Sequence, residues 1–469
     1  MILYLFFLFA GWYALSSFAS WYRLRHFKGP FLAYGAIHLW LSYGAIHLWL
    51  SYGAIHLWLS YGAITGRSWE TYQGVCETYG SLARLAPDTL VTDDPDLIRR
   101  MSAARSPYRK SGFYEGMRLN PNRHTTFSTL DKVLHDQLKA RTTPAYSGMD
   151  VPDLEGAVDS VVGHLQRFIH EGYVSKEGGS RSMNLAEVLH FLTLDLLAKI
   201  AQGREFGHLD SGSDVHGWIK SFGAAAPYFQ LVAEIPWLRR VVFSSLVLRS
   251  VWPKPTDEKG IGKIMGIAKS VVADRFRLDA EKNDMLCETG VLLLIIAGSD
   301  NTSGTIRATL LYLMTNPRAY QKLQREIDEA AAVIQEGLRI FSPSGSLLTK
   351  QAPPEGDEFK THRIPGGVNI GQSTWAMMRR KDLFGDDADV FQPKRFLEAD
   401  PKRRDEMEKV VDLNFGYGRW GCSGKPVALM ELNKVFVELC EPSNPWDVKT
   451  YPVLVIRNMN VIVTERRLI

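Results

Sequence analysis

Met1 to Tyr22 contains no charged residue and is dense in Leu, Phe, Trp, Tyr and Ala. At about 1.5 Å per residue, a helix of this length just crosses a hydrocarbon layer of about 30 Å. A cleaved signal peptide would place a basic residue ahead of a shorter apolar core and a small-x-small cleavage site. Here the positive charges follow the run, at Arg23, Arg25, His26 and Lys28, and Gly29-Pro30 ends it. The pattern predicts a retained anchor over 1–22, with the rest of the chain on the cytosolic side. Residues 34–60 then read YGAIHLWLS three times without a mismatch. A nine-residue step rotates a helix by about 900°, half a turn net, and an odd step also flips a strand. Neither geometry gathers His38, His47 and His56 around one metal, so the copies read as duplicated apolar sequence, with a second membrane-dipping segment as the alternative.

From Gly66 the pattern becomes that of a globular body. Tyr79–Leu85 and Thr89–Thr92 read as short strands around a Pro87-Asp88 turn. Helical periodicity follows over Thr129–Ala140, Leu154–Glu171, Asn184–Ala201 and Gly260–Leu278. A long apolar helix spans Leu286–Leu313, stopped by Asn316-Pro317, and an amphipathic one covers Ala319–Glu336. Short strands and Gly/Pro turns run from Pro343 to about Gly371, and a loop-rich stretch from Phe384 to Phe396. A Gly-rich loop, Phe415–Gly424, opens into the apolar helix Lys425–Glu438. The expected class is mainly α with small β-sheets. The absence of a strand-helix alternation argues against a doubly wound nucleotide domain. The expected division is an anchor over 1–22, a basic and repetitive linker over 23–65, and one catalytic domain over 66–469.

Composition narrows this. A 23% charged fraction and 45% hydrophobic residues exclude a disordered chain and a polytopic membrane protein. The formal net charge of +4 on 469 residues gives no reason to expect a nucleic-acid partner. The four cysteines, Cys76, Cys287, Cys422 and Cys440, form no CxxC pair, which argues against a disulfide scaffold or zinc cluster and leaves a thiol free for chemistry.

Phe415-Gly416-Tyr417-Gly418-Arg419-Trp420-Gly421-Cys422-Ser423-Gly424 is the most informative stretch. Glycines permit tight turns and close approach of backbone to a flat ligand. A cysteine at the start of a helix meets N–H groups and the positive helix end, which lower a thiol pKa. A structural cysteine and a hydrolytic nucleophile are the rival readings, although no histidine follows Cys422. The loop resembles the FGxGRxxCxG signature of the cytochrome P450 family, the haem-thiolate monooxygenases, and in particular fungal microsomal members of the pisatin-demethylase-like kind. Glu336-Gly337-Leu338-Arg339 is similar to the family's ExxR, Pro393–Phe396 to its PxRF, and Ala297–Thr302 to its [AG]GxDxT on the long helix. Four motifs stand in the family's order, and the likeness covers most of the chain.

The resemblance implies haem b (iron-protoporphyrin IX) with Cys422 as the axial iron ligand, and Phe415 in the same cofactor-binding loop. It implies that Thr302 hydrogen-bonds dioxygen and Asp300 relays protons. Thr302 bonding back to a carbonyl one turn earlier is the alternative. Glu336, Arg339 and Arg395 would form a buried charge network. His135 and Lys139 would reach the haem propionates, Lys replacing a usual Arg and losing its fork. Arg419 stands one place earlier than usual, so either it or the Trp420 N–H would serve there. Ser423 places a hydroxyl beside the sulfur, where a hydrogen bond would raise the iron potential. Electrons would come from NADPH through a membrane-bound reductase, with Lys402, Arg403, Arg404 and Lys425 as a docking face. The expected substrate is a lipophilic small molecule, met by segments around Tyr108–Tyr114, Phe222–Phe229 and Leu292–Ala297, with a role in fungal secondary metabolism and a place in the endoplasmic reticulum membrane.

Two stretches depart from the family. The segment between Glu329 and Ala332 is short by a few tens of residues, and the tail from Cys440 to Trp446 is clipped. They keep open a second reading: a haem-binding or inactive member without turnover.

Overall fold

The computed structural model describes residues 22–30, 58–120, 123–174, 181–244, 247–248, 252–278, 288–316, 328–436, 447–450, 454–457 and 460–462, with 11, 15 and 19. Most of the expected anchor, most of the repeats and the clipped stretch Cys440–Trp446 lie outside these residues. Among the described residues no helix is long and apolar enough to cross a membrane.

The chain folds mainly as helices: α1 (Ser68–Tyr79), α2 (Lys132–Tyr146), α3 (Leu154–Gly172), α4 (Leu185–Gln202), α5 (Trp218–Glu234), α6 (Gly260–Leu278), α7 (Glu288–Met314), α8 (Asp328–Ile340), α9 (Pro401–Val411) and α10 (Lys425–Val435), with shorter turns between. Several starts follow capping chemistry. The Asp131 carboxylate accepts from Val133 N (2.7 Å) and Leu134 N (3.1 Å) to begin α2, and Asp153 accepts from Gly156 N (2.9 Å) to begin α3.

One five-stranded sheet runs in the order β1 (Leu82–Ala86), β2 (Thr89–Thr92), β8 (Asn369–Gln372), β5 (Lys350–Gln351), β3 (Arg109–Lys110). β1 and β2 are antiparallel through the Pro87-Asp88 turn, with Leu82 opposite Thr92. β2 and β8 are parallel, while β5 pairs antiparallel with both β8 and β3. Two-stranded pairs join β4 (Ser182–Asn184) to β11 (Asn460–Ile462), β6 (Asp357–Phe359) to β7 (His362–Ile364), and β9 (Asp447–Thr450) to β10 (Leu454–Arg457).

The main core packs around α7. Its side chains Ile306, Ala308, Leu310 and Leu313 meet Leu185, Leu189 and Leu192 of α4, Val333 and Leu338 of α8, and Leu432 of α10. A Cβ at Gly337 would stand 2.0 Å from the Thr309 hydroxyl, so α8 approaches α7 this closely only with glycine there. The end of the last YGAIHLWLS copy is helical over 58–65 and buries Leu59 beside Tyr72, Val75 and Cys76 of α1.

The observed helices begin and end within a few residues of the expected ones over α3, α4, α6, α7 and α10, while α2 runs on to Tyr146, past the expected Ala140. The sequence pattern does not predict α1, α5 or α9. Pro227 interrupts the α5 pattern, and α9 is so charged that Met407, Val410 and Val411 alone mark its buried stripe.

Candidate functional site

The Gly-rich loop is held shut by Cys422 N–H donating to the Phe415 carbonyl at 2.6 Å. Gly416 (φ 74°) and Gly418 (φ 54°) are left-handed, and a Cβ on Gly418 would fall 2.5 Å from the Ser102 carbonyl. The Cys422 side chain is accessible, yet protein surrounds it closely enough that burial pushes its thiol pKa up. The Gly424 and Lys425 N–H groups and the Lys139 ammonium pull the other way and are outweighed. This corrects the expectation of a depressed thiol. The helix start does favour the thiolate, but desolvation in the recess is larger. A reachable sulfur in a protein-lined recess is poised for a metal, which deprotonates a coordinating thiol outright. The Ser423 hydroxyl pairs with Thr143 Oγ1 at 3.0 Å.

Beside this loop stands a cluster of buried cations. Lys110 on β3 and Lys350 on β5 are direct cross-strand partners, 6% and 4% exposed. Like charges directly opposite one another destabilise a sheet. Lys110 Nζ donates to the carbonyls of Thr126 (2.7 Å) and Phe127 (2.8 Å), and Lys350 Nζ to the Tyr114 hydroxyl (2.5 Å). Both ammonium groups lie over the Trp420 ring, 4.8 and 5.4 Å from its centre. Lys139 Nζ donates to the carbonyls of Arg419 (2.9 Å) and Gly421 (2.6 Å). The buried His135 ring meets Trp420 edge-on at 4.4 Å and touches Asp136 through Nδ1 at 3.0 Å.

Burial lowers the Lys350 pKa to about 7. Burial, and then the charges of Lys350 and Lys139, hold Lys110 well below the usual lysine range. Burial also lowers His135 to about 4, with Lys110 and Lys139 adding to the effect against Asp136. Among the described residues no carboxylate offsets Lys110 or Lys350. Three ammonium groups and a phenol beside an accessible thiol are the donor set that two carboxylates and an iron require, and the residues present fit haem. Lys110 and Lys350 are not among the residues the sequence singles out, and Tyr114, expected along the substrate pocket, stands in this cluster. Arg419 is engaged elsewhere, with Asp136 and with the Ala104 carbonyl at 2.8 and 3.2 Å. Phe415 is half-buried, packed against the main core with Lys425 Nζ over its ring.

On α7 the two motif side chains diverge. The buried Asp300 carboxylate pairs with His190 Nε2 of α4, beside a cavity of ≈ 10 Å³, about one water in size, lined also by Trp218, Phe222, Ile295 and Ser299. Thr302, 6% exposed, lies beside Glu431 of α10. Burial raises that carboxyl to about 8 against the Thr302 hydrogen bond, and its Oε2 has no partner.

Glu336, Arg339 and Arg395 meet in the core. Arg339 grips Glu336 with two bonds (2.6 and 2.8 Å) and donates to the carbonyls of Met378, Ala388 and Val390. Arg395 Nε donates to Glu336 Oε1 at 3.2 Å and Nη1 to Asp387 at 3.0 Å. Glu336 and Arg339 are fully buried, so the pair works away from screening solvent. Of the expected docking cations, Lys402 is exposed, Arg403 and Arg404 donate to the carbonyls of Leu383 and Leu397, and Lys425 pairs with Asp412 at 2.8 Å.

A helical body around one long helix, with a cysteine loop that opens into a helix packed on it and a buried Glu-Arg-Arg network, defines a haem-thiolate protein. Comparison with known proteins names the family. A family model described as cytochrome P450 matches residues 281–441. The cytochrome P450 monooxygenase aba1 of Botryotinia fuckeliana is 37% identical over 445 residues, covering 86% of this chain and 87% of that protein. ABA1 of Pyricularia oryzae is 37% identical over 453 residues, covering 86% and 88%. The monooxygenase abl1 of Leptosphaeria maculans is 33% identical over 441 residues, covering 84% and 78%. The chain belongs to the cytochrome P450 family and is a monooxygenase of that family.

Proposed function

We propose that this protein is a membrane-anchored monooxygenase that inserts one oxygen atom from O₂ into a lipophilic small molecule in fungal secondary metabolism, with electrons from NADPH through a reductase. The observation that carries the cofactor assignment is the accessible Cys422 beside the half-buried Lys139 and two buried lysines, Lys110 and Lys350, that no carboxylate among the described residues offsets. Haem supplies the oxygen-activating chemistry when bound. Cys422 would hold its iron, and Lys110, Lys139 and Lys350, with Tyr114, would hold its carboxylates through charge-assisted hydrogen bonds, strongest at the two buried lysines. His190 fixes the orientation of the Asp300 carboxylate beside the small cavity. Phe222, Ile295 and Ile296 supply apolar surface that suits an apolar ligand. The anchor over 1–22 and the basic segment after it suit a single-pass protein of the endoplasmic reticulum membrane with its catalytic body in the cytosol.

Reduced full-length protein under carbon monoxide is expected to show the long-wavelength Soret band of a thiolate-ligated haem, and Cys422→Ala to abolish it. Loss of the band in Cys422→Ala with haem still bound supports thiolate ligation. A wild type without the band refutes the assignment. Consumption of NADPH on addition of reductase and an apolar substrate separates turnover from haem binding alone.

A further inference from the structure

The chain places the Ser423 hydroxyl next to the Cys422 sulfur, and the fold gives that hydroxyl a different partner. One face of α2 carries Lys139, Thr143 and Tyr146, at steps of four and three residues. That face lies along the cysteine loop. Lys139 Nζ donates to the carbonyls of Arg419 and Gly421, and Thr143 Oγ1 pairs with Ser423 Oγ at 3.0 Å. The Tyr146 carbonyl stands 3.7 Å from where a Cβ on Gly424 would be. α2 therefore holds the loop on both sides of Cys422, at residue 421 before it and at residues 423 and 424 after it.

The Cys422 sulfur lies 3.8 Å from that same Gly424 position, so it leans forward along residues 423 and 424. Among the described residues, the bond that the Ser423 hydroxyl makes is nonetheless the one to Thr143. A serine side chain has three staggered wells about its Cα–Cβ bond, and a turn about that bond re-aims the hydroxyl. A thiolate is a charged acceptor and outbids a neutral hydroxyl. What keeps Ser423 on its neutral partner is a threonine carried by a helix that is itself clasped to the loop backbone through Lys139. A hydrogen bond to an iron-bound sulfur withdraws negative charge from it and raises the iron potential.

Resting on the haem-thiolate reading, we propose that Thr143 is a positioning residue for the iron ligand: it holds the Ser423 hydroxyl off the Cys422 sulfur and so keeps the iron potential low.

The test is the midpoint potential of the full-length, haem-loaded protein in phospholipid vesicles, read at the Soret band during a dye-mediated reductive titration. Thr143→Val removes the hydroxyl and keeps the branched shape. It is expected to release Ser423 to the sulfur and to raise the ferrous-to-ferric ratio at a fixed poise about 2- to 12-fold, the worth of one hydrogen bond. Thr143→Ser, which retains the partner, is expected to keep the wild-type potential, as are Ser423→Ala and the double variant Thr143→Val/Ser423→Ala. A lower potential in Ser423→Ala overturns the proposal, because the hydroxyl then already serves the sulfur. An unchanged potential in Thr143→Val overturns it too, as does an equal rise in the double variant, which traces the effect to a loosened loop. Ser423→Ala decides the question by itself where Thr143→Val does not fold. A wild type that lacks the thiolate Soret band overturns the haem assignment, and this proposal with it, before any potential is compared.

Discussion

Lys350 offers a perturbation whose two effects have opposite signs. It faces Lys110 across the β3–β5 pair, donates to Tyr114, and is drawn from the usual 10.5 to about 7 by burial. Holding a group whose folded pKa lies 10.5 − 7 = 3.5 below the unfolded one costs on the order of 5 kcal/mol at about 1.36 kcal/mol per pH unit. The sign follows from protons bound: below pH 7 the cost is present in full, and it fades as pH rises from about 7 towards 10.5. Lys350→Met removes that cost and leaves no orphan, because the Tyr114 hydroxyl keeps its bond to the Leu348 carbonyl at 3.1 Å. The haem-free variant is therefore expected to be more stable than the wild type at pH 7, with the advantage shrinking by pH 10. In the haem-loaded protein the same change deletes a charge-assisted hydrogen bond worth about 1.5–3 kcal/mol, so haem is expected to leave about 10- to 150-fold faster. The assay is haem transfer to excess apomyoglobin, followed at the Soret band, alongside thermal unfolding of protein expressed under haem depletion. A variant that is less stable without haem and releases haem at the wild-type rate refutes the reading of this cluster as an anion site.

Two further perturbations test the buried acids. Arg395→Met leaves Glu336 with one guanidinium in a fully buried site and is expected to cost about 3–5 kcal/mol, seen as a lowered thermal midpoint and poor yield of folded protein. Glu431 has a folded pKa near 8 against an ordinary 4.5, so the folded state binds the extra proton between those values, and stability conferred below about pH 4.5 is lost as pH rises through 8. Glu431→Gln is expected to flatten that slope, by about 1.4 kcal/mol per pH unit relative to wild type. Parallel melting curves of the two proteins between pH 6 and 8 would overturn the assignment of the buried proton.

What could be read from the chain was what local spacing decides. Glu336 and Arg339 stand three apart on one helical face, so their pairing is written in the sequence, and the cysteine loop carries its glycines within a few positions of the sulfur. Lys110 and Lys350 were illegible for the converse reason. Each sits in a two-residue strand among polar neighbours, and only the register of β3 on β5 sets them opposite one another beneath Trp420. The same distinction governs α7. A motif places an acid, an amide and a hydroxyl at consecutive or near-consecutive positions, so at 3.6 residues per turn they point in different directions. Which of them faces the cofactor depends on the helix rotation, and that is set by contacts from distant sequence, His190 on one side and Glu431 on the other. The sequence alone carries no sign of either partner's reach.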